Sequence, residues 1–169
     1  MDENTPLDAL DLQLLRLLQA DASGSIQALA EATGSSATTC HRRIKRLEDE
    51  GYIERRVALL SLDRLKQARA VGLQALVEVT LDPQTQDNLA RFEAAAVADA
   101  AVQQCWRTSP GPDFFLVLAL DDMDDYHAVG QRLFTATLNV RNVRTFFATR
   151  RAKCLPGVPL LGGGGVTDR

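Results

Sequence analysis

Leu10, Leu14, Leu17 and Leu18 recur at three- and four-residue intervals, the spacing that lines one side of a helix. Asp8 stands ahead of them as an N-cap, and the helix is expected to run to about Ala20, where Asp21-Ala22-Ser23-Gly24 breaks it. Ser25 caps a short second helix, Ile26 to Thr33. Gly34-Ser35 follows as a tight turn, because glycine tolerates the left-handed conformation that ends a helix. Ser36 caps a third helix that stops at Gly51. Helix, short helix, glycine turn, basic helix is the helix-turn-helix order. The stretch Tyr52 to Leu60 then favours a strand.

At about 100° per residue, the third helix places Ala37, Cys40, Ile44 and Leu47 on one face and Thr38, Arg42 and Lys45 on the opposite one. Thr39 and Arg46 share an adjoining flank, and Arg43 and His41 sit at the two boundaries. One stripe anchors the helix; the other presents hydroxyl and guanidinium donors, the groups that bind phosphates and read base edges in a major groove. A solvated charged face would also account for basic residues alone. The preceding glycine turn and the lack of any acidic residue from Ser36 to Leu47 favour the nucleic-acid reading.

The periodicity changes after a polar connection at residues 61–70. Leu73, Ala75, Val77, Val79 and Leu81 alternate as in a strand with one buried face. Leu89, Phe92 and Ala96 mark a helix from about Thr85 to Ala98; Val102 to Thr108 is a second strand and the apolar run Phe114 to Leu120 a third, expected to be central. Asp121 and Asp122 start a further helix with Met123, Tyr126, Gly130, Leu133 and Leu138 near one face, and Val143 to Thr149 is a fourth strand. The order βαββαβ is ferredoxin-like, one sheet with two helices on one side. The other side is expected to carry Leu76, Cys105, Phe146 and Ala148 and to be covered by a partner chain. The chain is thus an α+β protein. Residues 1–60 form a winged-type helix-turn-helix domain, 61–70 a linker, 71–155 a ferredoxin-like domain and 156–169 a mobile tail.

Charge sharpens this division. The net charge is −3, but residues 139–155 hold five basic and no acidic side chains, and Arg42, Arg43, Lys45 and Arg46 crowd the third helix. Positive charge confined to patches of an acidic protein marks a local polyanion site. No apolar run approaches the roughly 20 residues of a membrane span, and the acidic N-terminus has no signal-peptide pattern, so the chain reads as cytoplasmic. Three scattered cysteines, Cys40, Cys105 and Cys154, suggest neither a disulfide framework nor a zinc site.

Enzyme chemistry finds little support. His41 lies on the third helix, and His127 on a helix flank; no motif pairs His127 with Cys105 as base and nucleophile. Asp121, Asp122, Asp124 and Asp125 do not match a calcium loop and suit a helix start. No metal or cofactor is expected.

The segments LDALDLQLLRLLQAD, GSSATTCHRRIKRLEDEGYIERRVALL, SPGPDFFLVLAL and VRTFFATRRAK, in that order, resemble the Lrp/AsnC (leucine-responsive, feast/famine) transcription regulators over residues 7–154. The resemblance implies dimers built through the ferredoxin-like domains, commonly assembled into octameric rings of four dimers. It also implies an amino acid or related effector bound between dimers, near the loop before the third strand. That loop usually reads Thr-Gly-x-x-Asp; here Asp113 matches, Ser109 replaces the threonine, Pro110 the glycine, and Gly111 falls one place late. The expected effector residues are Ser109, Gly111, Asp113, Thr145 and Phe146. The expected base contacts are Thr38, Thr39, Arg42 and Lys45, with Ser36, Arg43, Arg46, Arg55 and Arg56 on phosphates of double-stranded DNA with a pseudo-palindromic operator. Sirohaem decarboxylases share the architecture but hold a tetrapyrrole through second-domain histidine, of which this chain has only His127. A sensing module that binds no DNA would have lost the basic face.

Overall fold

The computed structural model describes residues 6–155 and 157–161. They divide into two units, one from the N-terminal helices to Leu59 joined by the segment from Lys153, the other from Leu60 to Ala152.

The first unit holds α1 (Ala9–Ala20), α2 (Ile26–Thr33) and α3 (Ala37–Asp49). Each start is set by a side chain. Asp8 and Asp11 form a reciprocal capping box on α1, and Ser25 and Ser36 accept from the amides of Ala28 and Thr39. Gly34 ends α2 at φ 63°, which glycine adopts without strain, and Ser35 N–H donates to the Ala30 carbonyl at 3.0 Å. Leu14, Leu29, Ala30, Cys40 and Ile44 form the small core, with Leu10, Leu17, Leu18, Ile26, Ala37 and Ile53 packed around it. The strand expected over Tyr52 to Leu60 does not form: the segment has no ladder partner among the described residues, and Val57, Leu59 and Leu60 are exposed. A strand exists only as half of a pair, which the sequence of one segment cannot supply.

The second unit opens with α4 (Leu62–Gln67), so the stretch expected as linker contains a helical turn capped by Ser61. It continues as β1 (Leu73–Leu81), α5 (Gln86–Ala98), β2 (Val102–Arg107), β3 (Phe114–Leu120), α6 (Met123–Leu133) and β4 (Val140–Phe147). The sheet order is β2-β3-β1-β4, all neighbours antiparallel, so β3 is interior as its apolar run implied. Ala75, Val77, Val79 and Leu81 of β1 and Phe114, Leu116, Leu118 and Leu120 of β3 are buried with Leu89, Phe92 and Ala96 of α5 and Val129 and Leu133 of α6. Both helices therefore cover one sheet face.

Three details differ from the pattern read along the chain. Cys105 pairs with Leu116 and packs with the helix-side core, not on the bare face, because the register of β2 shifts between Val102 and Gln104. Leu138 lies in a short 3₁₀ turn, Ala136–Leu138, rather than on α6. Asn139 then reverses the chain at φ 57°, so β4 starts three residues earlier than expected. The tail expected to be mobile is seated on α1 over residues 157–161; the rest of it, residues 156 and 162–169, lies outside the described residues.

Candidate nucleic-acid interface and ligand loop

Thr38, His41, Arg42 and Lys45 form an exposed ridge along α3, at the i, i+3, i+4, i+7 positions of one helical stripe. The opposite stripe is locked down, with Cys40, Ile44 and Leu47 buried. Among the described residues Arg42 has no ion-pair partner, and Lys45 has only an exposed contact to Asp49 at 3.3 Å. Such a pair is worth little and leaves the ammonium available. Thr39 is half-buried and shares a hydroxyl contact of 2.8 Å with Ser36, so both belong first to the helix cap. Arg55 is exposed, and Arg56 pairs with Glu48 at 2.7 Å.

Arg43 and Arg46 are placed differently from the phosphate contacts expected of them. Both turn inward onto Asp11, whose side chain is fully buried. Arg46 Nη2 reaches Asp11 Oδ2 at 2.6 Å; Arg43 Nη1 lies 3.2 Å from both Asp11 oxygens and 2.6 Å from Asp8 Oδ2. The capping hydrogen bond from Asp11 N–H holds the Asp8 carboxyl below its ordinary value; it outweighs the opposing effect of desolvation, and the Arg43 contact adds a lesser lowering. Asp11 is the functional residue that the sequence reading passed over. Spacing within one helix carries no sign of a partner 35 positions away.

The loop between β2 and β3 is tied at its base, where Thr108 N–H donates to the Asp113 carbonyl at 2.9 Å and its hydroxyl to the Pro112 carbonyl at 2.6 Å. Gly111 has φ 120°, a conformation that makes glycine necessary there. The Asp113 carboxylate is buried and turned toward its own unit, accepting from Leu81 N–H at 2.7 Å and Gln84 Nε2 at 3.2 Å. Ser109 and Gly111 are exposed. Thr145 faces the helices and bonds the Tyr126 hydroxyl at 2.7 Å, whereas Phe146 is exposed on the bare face. Neighbours in a strand point to opposite sides, so these two do not line one pocket of this chain. Phe146 lies opposite Leu76, five residues along β1 from the Leu81 amide that holds Asp113, or about 17 Å. Within one chain the five expected effector residues do not converge.

The bare sheet face exposes Leu76, Trp106, Phe115 and Phe146. It also carries an ion pair between directly opposed residues, Arg144 to Glu78 at 2.9 Å.

Two family models match the chain: winged helix-turn-helix DNA-binding over residues 7–54 and the Lrp/AsnC ligand binding domain over 74–158. The chain belongs to the Lrp/AsnC family. The Bkd operon transcriptional regulator of Pseudomonas aeruginosa is 34% identical over 154 residues, 91% of this chain and 98% of that protein. An AsnC family transcriptional regulator from Agrobacterium tumefaciens is 30% identical with a TM-score of 0.73, covering 90% of this chain and 97% of that one. A Neisseria meningitidis transcriptional regulator, solved as an L-Met complex, is 26% identical with a TM-score of 0.73, covering 92% and 98%. This Lrp/AsnC protein is accordingly a transcriptional regulator that joins a helix-turn-helix DNA-binding domain to a ligand-binding domain, and the decarboxylase and DNA-free readings are not favoured. No described helix is long and apolar enough to cross a membrane.

Proposed function

We propose that α3 is the recognition helix and that Thr38, Arg42 and Lys45 read base edges in the major groove, with His41 beside them. Thr39, Ser36, Arg55 and Arg56 complete the interface against sugar and phosphate. Arg43 and Arg46 hold the helix in place instead of contacting DNA. The observation that carries this reading is the exposed ridge on α3: four donor-bearing side chains in one stripe, with a guanidinium at its centre that has no ion-pair partner among the described residues. Arginine and lysine are the commonest direct readers of guanine.

The bare sheet face is the surface through which two copies pair, and larger rings build on that dimer. A dimer delivers two copies of α3 to successive major grooves, so the operator is a pseudo-palindrome with half-sites about one helical turn apart. The effector is an amino acid or a close relative, as supported by the L-Met complex of the Neisseria relative. Since Ser109, Gly111, Asp113, Thr145 and Phe146 do not converge in one chain, the effector pocket is completed by residues of a neighbouring copy. The protein acts in the cytoplasm by binding, without catalysis.

The test is a gel-shift titration on the DNA immediately upstream of the coding region, at two salt concentrations, with single amino acids added in turn. Binding that survives nonspecific competitor, weakens with salt and responds to one amino acid is expected. Absence of binding both to that fragment and to random duplex at low salt would overturn the DNA-binding assignment.

A further inference from the structure

The helical unit is built from both ends of the chain: the sheet unit is inserted between Leu59 and Lys153. The returning segment is held on α1 by its backbone. Gln19 Nε2 donates to the Val158 carbonyl at 3.1 Å, and the Val158 amide donates to Gln19 Oε1 at 3.1 Å. Arg16 Nη2 donates to the Leu160 carbonyl at 3.2 Å. One side-chain amide thus satisfies both polar groups of one backbone residue, as a neighbouring strand would. Gly157 lies against Gln19, where an added Cβ would stand 3.6 Å from the Gln19 side chain. Leu160 is half-buried although its neighbours are exposed.

We propose that the outer edge of α1, through Arg16 and Gln19, is a docking surface for the chain's own segment Gly157–Leu161, and that this segment is a second tether between the two units. The first tether is the chain around Leu59. A body joined by one flexible connection swivels independently, and a second attachment removes most of that freedom. The ligand-binding family match runs to residue 158, whereas the chain from Lys153 packs with the helical unit, so the segment seated on α1 overlaps the end of the sensing-domain sequence. Recognition by backbone bonds asks only for an extended segment that leaves its N–H and C=O groups free, so the occupant needs no special side chain at 158.

The experiment compares the full chain with a truncation ending at Cys154 and with Gln19→Ala, which keeps the chain length and alters an exposed residue. Hydrogen exchange reads the Val158 amide directly, and ¹⁵N relaxation of residues 9–49 reads how freely the helical unit tumbles. Circular dichroism confirms that the helices persist in both variants. The expected result is a protected Val158 amide in the full chain, loss of that protection in Gln19→Ala, and a shorter correlation time for the helical unit in the truncation. Free-chain exchange of Val158 in the full chain, or a correlation time unchanged by truncation, overturns the tether. Neither readout involves DNA or an effector, so the outcome is independent of the operator reading above.

Discussion

Asp11 Oδ2 lies 2.6 Å from Nη2 of Arg46, and no part of the Asp11 side chain reaches solvent. The same carboxylate accepts from the Asp8 amide at 3.1 Å and from Arg43 at 3.2 Å. The first helix of the DNA-binding domain therefore fixes the angle of the third through one buried charge. The two Nε atoms of Arg43 and Arg46 are buried without a hydrogen-bond partner among the described residues, and Arg46 Nε has only a long ion-pair contact to Glu50 at 3.9 Å, so the network leans on the Asp11 carboxylate for its compensation.

Asp11→Ala is expected to destabilise the helical unit by about 2–4 kcal/mol. Removing one member of a buried pair strands the remaining charges, and the figure sits toward the lower side because the two guanidiniums remain about a quarter exposed. Urea denaturation followed by helical circular dichroism measures it. A loss below about 0.5 kcal/mol, the range of an ordinary surface change, would show that the network is not what holds α3.

Arg42→Ala and Arg46→Ala separate contact from support. Arg42→Ala should leave the melting temperature unchanged and weaken binding to the upstream fragment by about 1–3 kcal/mol, the cost of a base-reading arginine. Arg46→Ala should lower the melting temperature first and reduce binding only as the fold loosens. The reverse pattern would exchange their roles.

Asp113→Ala removes the acceptor for a buried backbone amide, Leu81 N–H, and should cost about 1–3 kcal/mol of stability. Asp113→Asn keeps an acceptor oxygen and should recover part of that loss. If the aspartate also meets the effector, Asp113→Asn will lose the amino-acid response in the gel shift while binding DNA normally; retention of the response would leave it a purely structural residue.

Trp106, the only tryptophan of the chain, is 61% exposed on the bare sheet face. If two copies pair there, its emission should shift to the blue as protein concentration rises through the dimerisation range. Phe146→Glu, which places a charge in the same exposed apolar patch, should abolish the shift and yield a monomer in sedimentation. An emission maximum independent of concentration, with Phe146→Glu still dimeric, would move the pairing surface elsewhere.

Most of the architecture was legible from local pattern. The leucine spacing of α1, the serine caps and glycine of the turn, the alternation of β1 and the apolar run of β3 each record a local period or a conformational need, and these are properties of short segments. The split of α3 into an anchored and an exposed stripe was legible for the same reason, and with the glycine turn it sufficed to point to DNA. The sequence could not show what lies opposite a given residue. Arg43 and Arg46, expected on phosphates, are set by tertiary packing against the Asp11 carboxylate, 32 and 35 positions away respectively. Cys105 changed sides because a register shift in β2 depends on the partner strand. The segment 52–60 forms no ladder among the described residues, and Thr145 and Phe146, adjacent in the chain, were sent to opposite faces by the pleat. Periodicity is written in neighbours along the chain, whereas charge compensation, register and the docking of residues 157–161 on α1 are energies of pairs far apart in sequence, which only the folded structure brings together.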